Sequence, residues 1–175
     1  WLEFRRVLFR SYDVYVNVQG DEPLIDPDDI LKAIELKSRY PESVINSYCS
    51  ITNNENPNNL NIPKVVMKEN HDLMYISRAK IPQSKNDKDD QTYNKQVCIY
   101  SYNNSDLDRF LSYGRKSKTE KIEDIEILRF FELNINIKMF EASKSSLAVD
   151  VPEDVKKVEN ALRENHKDQW KNINH

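Results

Sequence analysis

A chain of 175 residues has the length of one ordinary domain, enough to bury roughly 70% of the surface its unfolded form exposes. With 31% charged and 38% hydrophobic residues it reads as soluble and globular, and no apolar run approaches the ~20 residues that span a bilayer. A formal net charge of −3 with scattered basic residues argues against nucleic-acid binding, and with Gly20 and Gly114 as the two glycines a Gly-rich phosphate loop is excluded within these residues.

Residues 1–11 form a basic-apolar mix unlike the Asn-, Lys-, Asp- and Ile-rich chain that follows, too short and too charged for a signal peptide. Arg5-Arg6-Val7-Leu8-Phe9-Arg10-Ser11 is also what a common short-read sequencing adapter encodes in one frame. The expectation is an assembly artefact joined to a truncated gene.

Val14, Val16 and Val18 alternate with Tyr15 and Asn17, which predicts a buried strand. Gln19-Gly20-Asp21-Glu22-Pro23 ends it in an acidic turn, where Gly20 is expected to supply a backbone bend that few other residues tolerate. Asp26 can cap a helix with Pro27 in its first turn and Ile30, Leu31, Ile34 and Leu36 as its apolar face, closed by Pro41. Residues 43–51 read as a strand and 52–61 as an Asn-rich loop. Residues 64–68 and 73–77 read as a hairpin turning at 69–72. Residues 83–92 are polar and read as a mobile loop, and 96–102 alternate as a strand.

Ser105-Asp106-Leu107-Asp108 resembles a capping box opening a short helix that Gly114 ends. Ile122, Ile125, Leu128 and Phe130 or Phe131 recur at helical spacing, which predicts one core-packed helix over 119–133. Residues 136–141 read as a strand and 152–164 as a final amphipathic helix carrying Val155, Val158 and Leu162; 166–175 is a polar tail. Alternating strands and helices around a hairpin predict a mixed α/β sheet with helices on both faces. Cys49 and Cys98 lack CxxC spacing and read as small strand residues in a reducing cytoplasm; the three histidines form no metal-ligand pattern.

A second acidic signal is Val149-Asp150-Val151-Pro152-Glu153-Asp154. Asp150 suits the cap of the last helix, a job that a further role for its carboxylate need not exclude.

Taken in order, these motifs resemble the sugar-acid cytidylyltransferases, in particular their 3-deoxy-D-manno-octulosonate (Kdo) branch. Val16-Asn17-Val18-Gln19-Gly20-Asp21-Glu22-Pro23 is similar to that family's central motif. Lys64-Val65-Val66, Tyr75-Ile76-Ser77-Arg78-Ala79-Lys80-Ile81-Pro82, Ile99-Tyr100-Ser101-Tyr102, Glu126-Ile127-Leu128-Arg129 and the Asp150 motif follow in the family's order.

The resemblance implies a mostly parallel, Rossmann-like nucleotidyltransferase sheet with a small β insertion, residues 12–165 being the C-terminal part of a single domain. It implies CMP transfer from CTP to a keto sugar acid, with pyrophosphate released, for lipopolysaccharide or surface-glycan synthesis. Further implications are Mg²⁺ on Asp21 and Asp150, with Arg78 pairing a phosphate or the sugar carboxylate. Gln19, Gly20, Ser77, Tyr100 and Glu126 would lie at the substrate, in a cytoplasmic homodimer contacting through residues 73–92. Three stretches depart from the family. Lys95-Gln96-Val97-Cys98 stands for Arg-His-Leu-Gly, Ile127 for a Gln, and Ser145-Ser146-Leu147-Ala148 for a Gly-rich approach to the second aspartate. The family's basic, Gly-containing nucleotide loop is absent, so the chain as given is expected to be inactive while its full-length parent turns over CTP. The alternatives are a GT-A-type glycosyltransferase, whose Asp-x-Asp spacing is missing here, and a non-catalytic remnant of the same fold.

Overall fold

The structure, a computed structural model, describes residues 12–53, 55–85, 92–143, 149 and 152–165. Residues 1–11, most of the polar loop at 83–92, residues 144–148, Asp150, Val151 and the tail lie outside the described residues.

Among the described residues six strands form one sheet: β1 (Tyr15–Val18), β2 (Val44–Ser50), β3 (Lys64–Met67), β4 (Leu73–Ser77), β5 (Asn94–Tyr102) and β6 (Ile137–Glu141). The order is β4-β3-β5-β2-β6, with β1 also on β5. The nine-residue β5 is the hub. On one side it pairs β2 from Ser101 to Asn94; on the other it pairs β3 at Asn94 and Lys95 and β1 from Ile99 to Tyr102.

The α/β class holds, and the expectation of a mostly parallel sheet is corrected. β1, β2 and β6 share a direction, but β5 runs against its neighbours, so β2·β6 is the single parallel pairing among the described strands. β1 is not a buried strand either. Among the described strands it pairs β5 alone, and Val18 is 39% exposed while Tyr15 is buried.

Helix α1 (Pro27–Arg39) begins where expected: Asp26 accepts from the Asp28 amide at 3.0 Å, and Pro27 fills the first position. Its inner face differs from the predicted one. Leu31 and Ile34 are exposed, and Asp29, Ala33 and Lys37, spaced four apart, are buried. Asp29 accepts from the amide and hydroxyl of Ser143 at 3.0 Å. Lys37 donates to the Pro41 and Ser43 carbonyls and meets Asp106 at 2.5 Å. Saturated hydrogen bonding lets these charges displace leucine and isoleucine from the interior. Burial lowers the Lys37 pKa even against the raising effect of Asp106.

Helix α2 (Asn104–Ser112) is capped two residues before the predicted Ser105, because Asn103 and Asp106 form the reciprocal capping box; Gly114, at φ 70°, follows its end. The single helix over 119–133 is also corrected. Ser117 and Glu120 cap α3 (Lys118–Glu123), Asp124 turns left-handed at φ 51°, and a 3-10 turn (Glu126–Leu128) leads into α4 (Arg129–Glu132). The break leaves Ile122 73% exposed and buries Glu120 against Arg129 instead. Helix α5 (Pro152–Asn165) packs through Val158.

Helices cover both faces. Ala33 packs with Ile45, Val97, Ile99 and Phe140 on one side, and Leu107, Leu128 and Phe130 join Tyr100 and Tyr102 on the other.

Candidate functional site

Alternation along β5 sends Val97 and Ile99 toward α1, and Gln96, Cys98, Tyr100 and Tyr102 toward a cleft of about 1200 Å³. The acidic turn closes one end of it. Gln19 N–H donates to the Cys98 carbonyl at 3.4 Å, and Cys98 N–H donates to Glu22 Oε1 at 3.2 Å. The turn is therefore tied to β5 from both its ends. The division of labour follows: Glu22 is buried as the structural carboxylate, and Asp21 beside it stays exposed on the cleft.

The Asp21 carbonyl accepts the Val149 amide at 2.9 Å. Val149 is chemically bonded to Asp150, the residue predicted to share a cation with Asp21. Asp150 itself lies outside the described residues. Among those described, no three His, Cys, Asp or Glu side chains converge as a metal site.

Gly20 corrects an expectation. It does not adopt the left-handed conformation that Gly114 does, and a Cβ added to it meets nothing within 4 Å. The turn itself does not demand glycine; the glycine keeps open space beside Asp21.

Gln19, Asp21, Arg78, Tyr100 and Glu126, far apart in sequence, all line this one cleft. Ser77 does not. Its hydroxyl donates to Glu123 Oε1 at 2.6 Å, and it is buried. Arg78 lines the cleft while serving as a fastener: Nε donates to the Glu123 carbonyl at 2.6 Å, and the two Nη atoms to the carbonyls of Leu60 at 2.9 Å and Asp124 at 3.2 Å. Three of its five N–H donors are thus committed to backbone.

The Asn-rich loop that forms the opposite rim is held the same way. Lys64, fully buried, donates to the carbonyls of Asn59 at 2.9 Å and Arg78 at 2.5 Å. Lys95 pairs with Glu55. Burial would raise the Glu55 pKa, but the Lys95 ammonium and the Thr52 amide bring it below its ordinary value. Sequence reading missed Glu55, Lys95, Asp154 and Lys157 as cleft residues. The i,i+3 spacing of the last two, which pair at 2.7 Å, was the available signal.

The floor is aromatic and uncharged. Tyr100 stacks on Tyr102 with centroids 6.2 Å apart, and Tyr102 on Phe130 at 5.7 Å. Burial, with help from neighbouring Cys98, pushes the Tyr100 pKa well up, so its phenol stays protonated. Burial and the Glu22 carboxylate do the same to the Cys98 thiol, which is therefore a poor nucleophile. No side chain on the floor is poised for covalent attack. The arrangement suits a ligand that lies on a neutral wall with its anionic part near hard oxygen donors at the mouth.

Comparison with known proteins gives a consistent picture. The family model described as cytidylyltransferase matches residues 2–142. A 3-deoxy-manno-octulosonate cytidylyltransferase of Koribacter versatilis is 35% identical over 153 residues, 86% of this chain and 57% of that protein. An 8-amino-3,8-dideoxy-manno-octulosonate cytidylyltransferase of Shewanella oneidensis is 34% identical over 155 residues, 86% of this chain and 61% of that protein. A solved structure of CMP:2-keto-3-deoxy-manno-octonic acid synthetase complexed with CTP superposes with a TM-score of 0.82 at 30% identity, covering 93% of this chain and 67% of that one. The chain spans about three-fifths of the length of these two curated relatives.

Proposed function

This chain belongs to the cytidylyltransferase family, and on that premise we propose that its parent protein transfers CMP from CTP to a keto sugar acid, Kdo or a close relative, releasing pyrophosphate. The supporting observation is the Val149 amide on the Asp21 carbonyl, which ties the segment leading to Asp150 against the acidic turn at the cleft mouth. Two carboxylates from distant parts of the chain are a donor set that suits Mg²⁺, which favours oxygen ligands and keeps several waters. Magnesium, when bound, offsets the negative charge that builds on the α-phosphate and the leaving pyrophosphate.

The chain's own residues have separate tasks in this reading. Asp21 and Asp150 supply hard oxygens, and open space at Gly20 admits phosphate close to the backbone. Tyr100 offers a neutral ring and hydroxyl to the sugar, and exposed Glu126 accepts sugar hydroxyls at the lip. Gln19 lies between these two ends. Arg78 fixes the rim through three carbonyls and turns its remaining donors to the anionic ligand. Ser77 acts through Glu123, which receives both its hydroxyl and the Arg78 amide.

With no basic, Gly-containing loop in its sequence, the 175-residue chain alone does not turn over CTP; a longer protein carrying such a loop does. The enzyme is a cytoplasmic homodimer serving lipopolysaccharide or surface-glycan synthesis. The edge strand β4, with Met74 55% exposed, supports a contact through the hairpin.

Calorimetric titration of the chain with CMP-Kdo in the presence and absence of Mg²⁺ tests the reading. Magnesium-dependent binding is expected; no binding at millimolar ligand overturns it. Pyrophosphate release above the blank, on incubation with CTP, Kdo and Mg²⁺, overturns the inactivity of the isolated chain.

A further inference from the structure

Two acids give Arg78 their backbone and withhold their charge. The Arg78 guanidinium, half-buried on the cleft wall, donates to the carbonyls of Leu60, Glu123 and Asp124. Helix α3 stops at the left-handed Asp124, so the last two of these carbonyls lie at its end, free of helical partners and available to Arg78. Among the described residues no carboxylate forms an ion pair with this guanidinium.

Both neighbouring carboxylates are occupied elsewhere. Glu123 Oε1 accepts the Ser77 hydroxyl at 2.6 Å, and Oε2 accepts the Arg78 main-chain amide at 2.9 Å. Asp124 Oδ1 accepts from Lys116 Nζ at 2.9 Å. The direction of the Ser77 hydroxyl is set, because its oxygen accepts the Ala79 amide at 3.0 Å and its one proton is left for Glu123. Ser77 is 2% exposed, so water does not compete for that proton. A guanidinium bound to neutral carbonyls keeps its whole charge for the cleft. With either acid folded onto it, an anionic ligand would first have to displace a carboxylate.

We propose that Ser77 is a positioning residue for Arg78: by holding the Glu123 carboxylate it keeps the guanidinium un-neutralised for an anionic group of the ligand. Lys116 does the same from the surface by holding Asp124. The inference rests on the cytidylyltransferase reading and gives Ser77, which is absent from the cleft wall, a task at a distance. The anion is a carboxylate or a phosphate, and two probes separate them.

The test is calorimetry on the 175-residue chain with Mg²⁺. The anionic probes are Kdo for the carboxylate and CMP for the phosphate, each beside its neutral counterpart, Kdo methyl ester and cytidine. Ser77→Ala is expected to weaken one anionic probe about tenfold, the scale of one charge-assisted hydrogen bond, and to leave its neutral counterpart unchanged. The probe that responds names the anion. Glu123→Gln removes the competing charge, so Ser77→Ala/Glu123→Gln should bind that probe within about twofold of Glu123→Gln alone. Lys116→Gln, at an exposed side chain, should weaken the same probe by about two- to threefold. Melting temperatures check each variant, and if Ser77→Ala does not fold, Lys116→Gln decides by the same criterion. Unchanged affinity for both anionic probes, equal losses for charged and neutral probes, or a double variant as weak as Ser77→Ala overturns the inference and leaves the family reading intact. A wild-type protein that binds neither Kdo nor CMP overturns both.

Discussion

Glu120 and Asp21 are both carboxylates of one small domain, and the fold treats them in opposite ways. Glu120 is fully buried, accepts from Arg129 at 2.8 and 2.5 Å, and receives the Ser117 amide at 3.0 Å. Arg129 in turn lies over the Phe110 ring, 3.8 Å from its centroid. These three hydrogen bonds cap α3 and tie it to α4 and, through Arg129, to the aromatic wall behind the cleft. Asp21 is exposed, because its neighbour Glu22 has taken the structural role by accepting from Cys98. Charges locked into the interior build this molecule, and charges left at the cleft mouth remain open to ligand. Letters in a motif do not separate the two kinds; burial and hydrogen-bond partners do.

The sharpest way to break the comparison is Arg129→Leu. It leaves Glu120 as an uncompensated buried charge, and the expected loss is about 3–5 kcal/mol, read from the urea midpoint at unchanged slope. A loss below about 1 kcal/mol would place Glu120 with the uncommitted carboxylates. Asp21→Asn is the counterpart. Stability should stay within about 0.5 kcal/mol, as for a surface change with no structural partner. Magnesium-dependent affinity for CMP-Kdo should fall about tenfold or more by calorimetry, the cost of one anionic ligand to a hard cation. A variant that unfolds instead would show that Asp21 holds the turn.

Between these extremes sits Asp72 at the hairpin turn. Burial alone would raise its pKa, but hydrogen bonds from Lys138, Asn136 and Asn70 hold it at about 2, below the ordinary 3.8. The folded value is the lower one, so its contribution is present above 3.8 and is lost as pH falls toward 2. Melting temperature against pH should show that loss in the wild type and a shallower one in Asp72→Asn. Parallel curves would mean that the Lys138 contact at 2.5 Å carries no measurable stability.

Much of the fold was legible because its signals are local. Period-two alternation marked β1 and β5, and Asp26-Pro27 marked the start of α1. Which face of α1 goes inward was not legible. It depends on Ser143 and Asp106, more than 60 positions away, turning Asp29 and Lys37 into better interior residues than Leu31 and Ile34. The break at Asp124 was half legible: Ser117-x-x-Glu120 has the spacing of a capping box, a signal that reading the apolar spacing of Ile122 and Ile125 passed over. At the site, the resemblance gathered Gln19, Asp21, Arg78, Tyr100 and Glu126 onto one cleft, but not the carbonyls that occupy Arg78. The task of Ser77 was out of reach, since Glu123, the acid it holds, lies 46 residues later in another element.

Gly20→Ala is the smallest expected effect and separates two reasons for a glycine. If the backbone needed it, alanine would cost about 1 kcal/mol or more, as at a left-handed position. Gly20 is not left-handed, and its added methyl group would meet nothing within 4 Å. Stability should therefore change by less than about 0.5 kcal/mol, or rise slightly as the unfolded chain loses freedom. If the open space serves an approaching phosphate, the same methyl group should weaken CMP-Kdo binding while Kdo affinity stays constant. Unchanged binding of both ligands would move the phosphate away from this turn, and with it the reason that Asp21, rather than Glu22, was left facing the cleft.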